Sequence, residues 1–279
     1  MSRKQVFLLT LVAMLAFAGN SLFCRLALKQ SGMDPAAFTL IRLASGALVL
    51  WAIVRLRGLA GGLGSWSSAL ALFAYAAGFS FAYVSLAAGT GALLLFGAVQ
   101  VTMIGYGLWQ GERLAPRQTG GLLLALAGLV GLLLPGLSAP PLAGSLLMLG
   151  AGVAWGVYSI RGRGAGDATA VTAGNFLRAV PFALLLGLVA LPAMPAPNPQ
   201  GVLYALLSGG LASGIGYALW YAALRGLQAT TAATVQLSVP VLTALGGTAF
   251  LGEELGWRLV LASCTILGGV ALVIRGRAR

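Results

Sequence analysis

Long, nearly uncharged apolar runs recur throughout this 279-residue chain and leave few folds open to it. Each is close to the roughly 20 residues that a helix needs to cross a ~30 Å hydrocarbon layer. Ten such spans read out at 6–28, 35–54, 65–88, 91–109, 119–134, 142–160, 171–191, 202–224, 229–251 and 259–274. Together they leave short loops and two tails, with no room for a separate extramembrane domain. None alternates with period 2 as a barrel strand does, so every span is expected to be helical. Only 8% of residues are charged, against about a quarter in soluble domains, which excludes a water-soluble fold.

Charge and turn signals mark the breaks. Arg55 and Arg57 end the second span, and a short turn is expected at Gly89-Thr90. Gly111 to Gln118, Ser138-Ala139-Pro140-Pro141, Arg161 to Asp167 and the four-proline stretch Pro192 to Pro199 read as loops. The first run follows Arg3 and Lys4 and contains Ala16-Phe17-Ala18, which is similar to a signal-peptidase site. Cleavage there would leave nine spans and break the repeat described below, so the run is read as a retained span. With both termini in the cytoplasm, 12 of the 17 basic residues fall on the cytoplasmic side, as the positive-inside rule requires of an inner-membrane protein. Lys29, Arg258 and Arg25 fall near the outer side, and Arg42 and Arg178 lie inside spans.

The sequence also repeats itself. Gly111-Glu112-Arg113-Leu114 returns 141 positions later as Gly252-Glu253-Glu254-Leu255, and the same offset relates Thr90 to Thr231, Ala92 to Ala233 and Gly128 to Gly269. Tyr83 matches Tyr221 at an offset of 138, and Arg42 matches Arg178 at 136. Two halves, 1–137 and 138–279, then hold five spans each. An odd number makes the second half enter the membrane from the opposite face, the inverted repeat characteristic of secondary transporters.

Ten spans, the five-plus-five duplication and the Gly-Glu-X-Leu turn between the fourth and fifth span of each half resemble the EamA-type branch of the drug/metabolite transporter superfamily. The resemblance covers essentially the whole chain. It implies an all-α membrane protein, ten transmembrane helices in two inverted repeats around a central cavity, related to YddG-type amino-acid and metabolite exporters. Pro240 matches the family's mid-helix proline, whereas its counterpart in span four is Val99 beside Gln100.

Composition narrows the chemistry. Without histidine, the usual general base and preferred metal ligand are absent. Cys24 and Cys264 sit in apolar runs and read as packing residues. No catalytic residue, metal or cofactor is therefore expected. No Asp or Glu lies inside a span; Asp34 and Asp167 read as helix caps. A proton-driven pump generally uses an intramembrane carboxylate or histidine, so a facilitator or exchanger is favoured over a small-multidrug-type antiporter.

The candidate site residues are the polar and aromatic ones that lipid would penalise. Arg42 and Arg178 come first: a charge at a helix centre costs about 2.5–3.5 kcal/mol on the insertion scale, so each should bind an anionic group, close a gate, snorkel to an interface or cap backbone carbonyls at a helix break. Asn20 and Ser21, Gln100 and Thr102, Trp155 and Tyr158, Asn175, and Gln236 with Ser238 supply an expected polar lumen. Phe79 and Tyr83, and Tyr217, Trp220 and Tyr221, occupy repeat-related positions that suit an aromatic wall. Gly152 with Gly156 and Gly210 with Gly214 form small-residue faces for close helix contact. The function expected is export or exchange of a small metabolite, amino acids included, by alternating access. A membrane enzyme with non-histidine chemistry, a lipid-linked flippase and a channel stand as alternatives. The expected partners are the substrate and the lipid bilayer, with no nucleic acid and with homodimerisation left open.

Overall fold

The computed structural model describes residues 1–59, 61, 63–111, 113–136, 139–162, 167–193, 195–196, 198–227 and 235–276. These form ten apolar helices: α1 (Arg3–Gln30), α2 (Pro35–Leu56), α3 (Trp66–Tyr83), α4 (Ala88–Trp109), α5 (Pro116–Leu133), α6 (Leu142–Arg161), α7 (Ala168–Ala190), α8 (Pro199–Leu224), α9 (Ser238–Leu251) and α10 (Trp257–Gly276). No strand occurs among the described residues. Lipid offers no partner to a backbone N–H, so a spanning chain must satisfy its hydrogen bonds within each helix.

Local chemistry sets several starts. Asp34 Oδ1 accepts the N–H groups of Ala36 and Ala37 at 2.8 and 3.1 Å, with Pro35 in the first turn of α2. Asp167 does the same for α7 through Thr169 and Ala170. Ser65 caps α3 and Asn198 caps α8. Gly252, with φ +65°, ends α9 in the left-handed conformation that glycine adopts without cost. Pro240 falls in the first turn of the described α9, where a missing N–H goes unnoticed. The Thr231 and Ala233 matches, Glu112, Ser138, Arg163, Arg277 and Arg279 lie outside the described residues.

The turn between α3 and α4 departs from expectation. It falls at residues 84–87, and Gly89 and Thr90 belong to α4. Ala87, at the N-cap, makes no side-chain bond to the helix. The cap comes instead from Glu253, whose Oε2 accepts the Ala88 N–H at 2.7 Å.

Helix contacts run mainly between the two halves. α5 packs on α10, α2 on α7, α4 on α9, α3 on α6, and α1 on α8. Exchanging each helix for the one five places along turns α3·α6 into α8·α1, α4·α6 into α9·α1 and α3·α7 into α8·α2, all of which occur. Glycines permit the closest approaches. A Cβ on Gly121 would stand 2.6 Å from the Gly269 carbonyl oxygen, joining α5 to α10. One on Gly152 would meet Ala98 at 2.6 Å and one on Gly156 would meet Thr102 at 2.8 Å, joining α6 to α4. Gly210 and Gly214 face Val49 of α2. Large apolar side chains such as Leu48, Leu124, Leu146, Leu188 and Phe250 point outward, which suits a bundle bathed in lipid rather than water.

Arg3, Lys4, Arg57, Arg117, Arg161 and Arg225 lie at helix ends that share one end of this antiparallel bundle, called here the basic end.

Candidate functional site

A cavity of about 550 Å³ occupies the middle of the bundle, within the range of small-molecule sites. It runs from Gly162, Ala168, Leu224 and Gln236 at the basic end to Ser21, Phe79 and Leu95, and none of its lining residues lies beyond Ser21 on α1 or Phe79 on α3. Its described lining therefore reaches the basic end and stops short of the other.

Eleven of the expected residues line it: Asn20, Ser21, Phe79, Gln100, Trp155, Tyr158, Asn175, Tyr217, Trp220, Tyr221 and Gln236. Trp155 is the centre of the aromatic wall, stacked on Tyr158 at 5.2 Å and on Tyr217 at 5.4 Å, with Tyr75 at 4.7 Å. Phe17 sets its edge against Tyr217 and Trp220. A polar ridge crosses one side: the Tyr158 hydroxyl donates to Thr172 Oγ1, which donates to the Tyr221 hydroxyl at 3.1 Å, while Asn175 Nδ2 donates to Tyr158.

Four expected residues are placed elsewhere. Tyr83 is fully buried and donates its hydroxyl to the Ala88 carbonyl, tying α3 to α4. Ser238 donates to the Val235 carbonyl. Arg178 donates from Nη1 to the carbonyls of Leu63 and Gly174, both at 3.0 Å, and so holds the loop before α3 against α7. Thr102 also lines no part of the cavity; it donates to the Ala98 carbonyl inside α4.

Arg42 lies directly behind the lining. It is 1% exposed, with its guanidinium carbon 4.7 Å from the Phe79 ring centroid and 5.1 Å from that of Tyr75. Nη2 donates to the Tyr75 hydroxyl at 2.9 Å, whereas Nε and Nη1 have no hydrogen-bond partner. No carboxylate pairs with it among the described residues. The Tyr75 oxygen also accepts Asn20 Nδ2 at 3.4 Å, and Asn20 Oδ1 in turn accepts the Ser208 hydroxyl at 2.6 Å. Accepting two bonds, one from a cation, leaves the Tyr75 O–H as a polarised donor on the cavity wall.

Tyr75, Phe17, Thr172 and Ser213 are lining residues that the sequence reading passed over. Tyr75 carried a usable signal, since Tyr75, Phe79 and Tyr83 recur every four residues and so share one helix face; their rings touch in sequence at 5.6 and 4.7 Å. Ser213 sits in the wide-turn segment Leu207–Ile215 of α8, which local pattern does not announce. Such π segments are frequent at functional sites. Here the segment brings Gly209 so close to α2 that a Cβ would stand 2.1 Å from the Arg42 carbonyl oxygen.

A bundle of ten apolar helices around a polar and aromatic cavity that reaches one end has the build of a membrane transport protein. The chain belongs to the EamA-like transporter family, which matches residues 142–275. An uncharacterized protein of Pseudomonas aeruginosa is 57% identical over 279 residues, covering 99% of this chain and 97% of its own. An uncharacterized transporter of Archaeoglobus fulgidus is 31% identical over 286 residues, covering 96% and 97%. The threonine/homoserine exporter RhtA of Salmonella typhimurium is 34% identical over 142 residues, 48% of this chain and 47% of that one. A crystal structure 23% identical, covering all of both chains, superposes with a TM-score of 0.68 and shares the fold. The chain is thus a multi-pass membrane transporter of the drug/metabolite superfamily.

Proposed function

We propose that the protein is a bacterial inner-membrane carrier that exports or exchanges a small metabolite bearing an anionic group, amino acids among the candidates, by alternating access. The observation that carries this reading is the buried, uncompensated guanidinium of Arg42 beneath the Tyr75 hydroxyl at the wall of the cavity. A cation without a counter-ion in a low-dielectric interior is costly, and an anion entering the cavity would recover part of that cost. Tyr75 supplies the direct bond and Arg42 the charge behind it. Trp155, Tyr217 and Trp220 offer faces for an apolar or cationic remainder of the substrate.

The excess of basic residues at the end the cavity reaches supports a cytoplasmic orientation for that end by the positive-inside rule, and with it an inward-open reading of this conformation. The two halves, 1–137 and 138–279, would rock about the cavity. Export is favoured by the partial likeness to an exporter. Asp34 and Asp167 cap helices, and Glu253 is held in a bond to Arg25; Glu254 is exposed. None lines the cavity, which supports a facilitator or exchanger.

The test is counterflow in proteoliposomes, comparing amino acids and other carboxylates with their carboxamides. The acids should exchange at least tenfold faster than the amides, and Arg42→Gln should remove that preference. Equal exchange of acid and amide by the wild type would overturn the anion reading, and no exchange of any solute would overturn the carrier reading.

A further inference from the structure

Beyond the end of the cavity away from the basic end, a contact joins the two halves. Arg25, near the end of α1, donates from Nε to Glu253 Oε1 at 3.0 Å and from Nη1 to the Tyr83 carbonyl at 2.9 Å. Glu253, in the turn between α9 and α10, uses its other oxygen to cap α4 at Ala88. One pair of side chains therefore fastens α1, α3 and α4 of the first half to the α9–α10 turn of the second. Their side chains are 6% and 16% exposed. The other ion pairs among the described residues, Asp167 with Arg57 and with Arg225, are at the basic end.

We infer that the Arg25–Glu253 pair is the releasable closure of this far end, intact in this conformation and broken when that end opens. The inference rests on the alternating-access reading above. Three observations carry it. The pair lies on the far side of Ser21 and Phe79, the last residues to line the cavity on α1 and α3. Small residues pack beside it: a Cβ on Gly89 would meet Ala244 at 2.8 Å, with Leu259 Cδ2 at 3.2 Å, and one on Gly247 would lie 3.4 Å from Ala88.

The third is the chemistry of the bond. A buried ion pair holds firmly while dry, yet both of its charges regain hydration once water enters, so the open state is not penalised as an apolar seal would be. That gives two states of similar free energy separated by a discrete contact, as a gate requires. Arg25 also has a counterpart at the other end of the molecule. The 136-position offset that relates Arg42 to Arg178 relates Arg25 to Arg161, which ends α6 at the basic end and donates to Ser67 and Ser68 of α3.

The test reads access to the cavity from outside, without knowledge of the substrate. In a Cys24→Ser, Cys264→Ser background, Ser21→Cys is labelled in spheroplasts with a membrane-impermeant thiol reagent. Slow labelling is expected with the pair intact, and labelling on the order of tenfold faster with Arg25→Gln or Glu253→Gln. The double variant should be no faster than either single one, because both changes break one bond. Unchanged labelling in the single variants, or a multiplied rate in the double, would overturn the inference. Should a Gln variant fail to reach the membrane, Arg25→Lys takes its place, since it keeps the charge but loses the planar fork. At least threefold faster labelling is expected there, and an unchanged rate would count against the latch. Failure of the carrier reading is distinguishable, because it appears as absent counterflow whatever the labelling shows.

Discussion

Arg42 and Arg178 occupy matching positions in the two halves, 136 residues apart, and their surroundings give them different work. Arg42 is enclosed by α8 and the rings of Tyr75 and Phe79, keeps two nitrogens unbonded and faces the cavity wall from behind. Arg178 spends its bonds on the Leu63 and Gly174 carbonyls, where Leu63 precedes α3 at the basic end. The same residue stands at both offset-matched positions, yet the packing around it leaves one with unbonded nitrogens behind the cavity wall and makes the other a fastener for a loop. A charged residue in a span is thus informative about function only once its bonds are counted.

The comparison is broken most directly at Arg42. Arg42→Met should lower transport efficiency by about 100-fold in proteoliposomes, the loss expected from one charge-assisted contact of ~2–3 kcal/mol. The same change should raise the unfolding temperature, because an unpaired buried charge is replaced by an apolar side chain of similar volume. Arg178→Met should do the reverse, leaving transport within about twofold and lowering the unfolding temperature. Transport loss of equal size at both positions would mean that the two arginines are functionally equivalent after all.

A smaller effect is expected at the intermediary. Tyr75→Phe removes the oxygen that accepts from Arg42 and Asn20, and exchange should fall about tenfold, with the acid-over-amide preference reduced. Next comes the backbone beneath Arg42. Gly209→Ala would place a Cβ 2.1 Å from both the Arg42 oxygen and Ser45 Oγ and should destabilise the protein by about 1–3 kcal/mol in thermal unfolding. Gly210→Ala, one residue along, meets only Val49 at 3.3 Å and should be nearly silent. The smallest effect concerns pH. With no histidine in the chain and no acid lining the cavity among the described residues, exchange should vary by less than about twofold between pH 6 and 8. A steep dependence would place a proton in the cycle and overturn the facilitator reading.

Much of the site was legible before the structure. Asn20, Gln100, Asn175 and Gln236 line the cavity because an amide in a lipid-facing position is expensive and a lumen is the available alternative. The same argument named Ser238 and Thr102, which satisfy themselves on a carbonyl three or four residues back in the chain. A hydroxyl can do this and an amide seldom does, so the rule discriminates better for Asn and Gln than for Ser and Thr. Arg25 and Glu253 were placed near the outer side and in a loop, but nothing local connected them, since they are 228 positions apart.

Ten spans, their helical state and the excess of positive charge at one end can all be read from residue order alone. Each of these follows from hydropathy and charge within a window of about 20 residues, and the bilayer imposes it helix by helix. The tertiary structure decided which polar groups share the cavity, which arginine stays unpaired, and that the α4 cap is a carboxylate 165 positions away. Lipid tails are as apolar as leucine, so the face a helix turns to its neighbours carries little hydropathic signature. Only the packing of small residues and polar bonds across helices selects it.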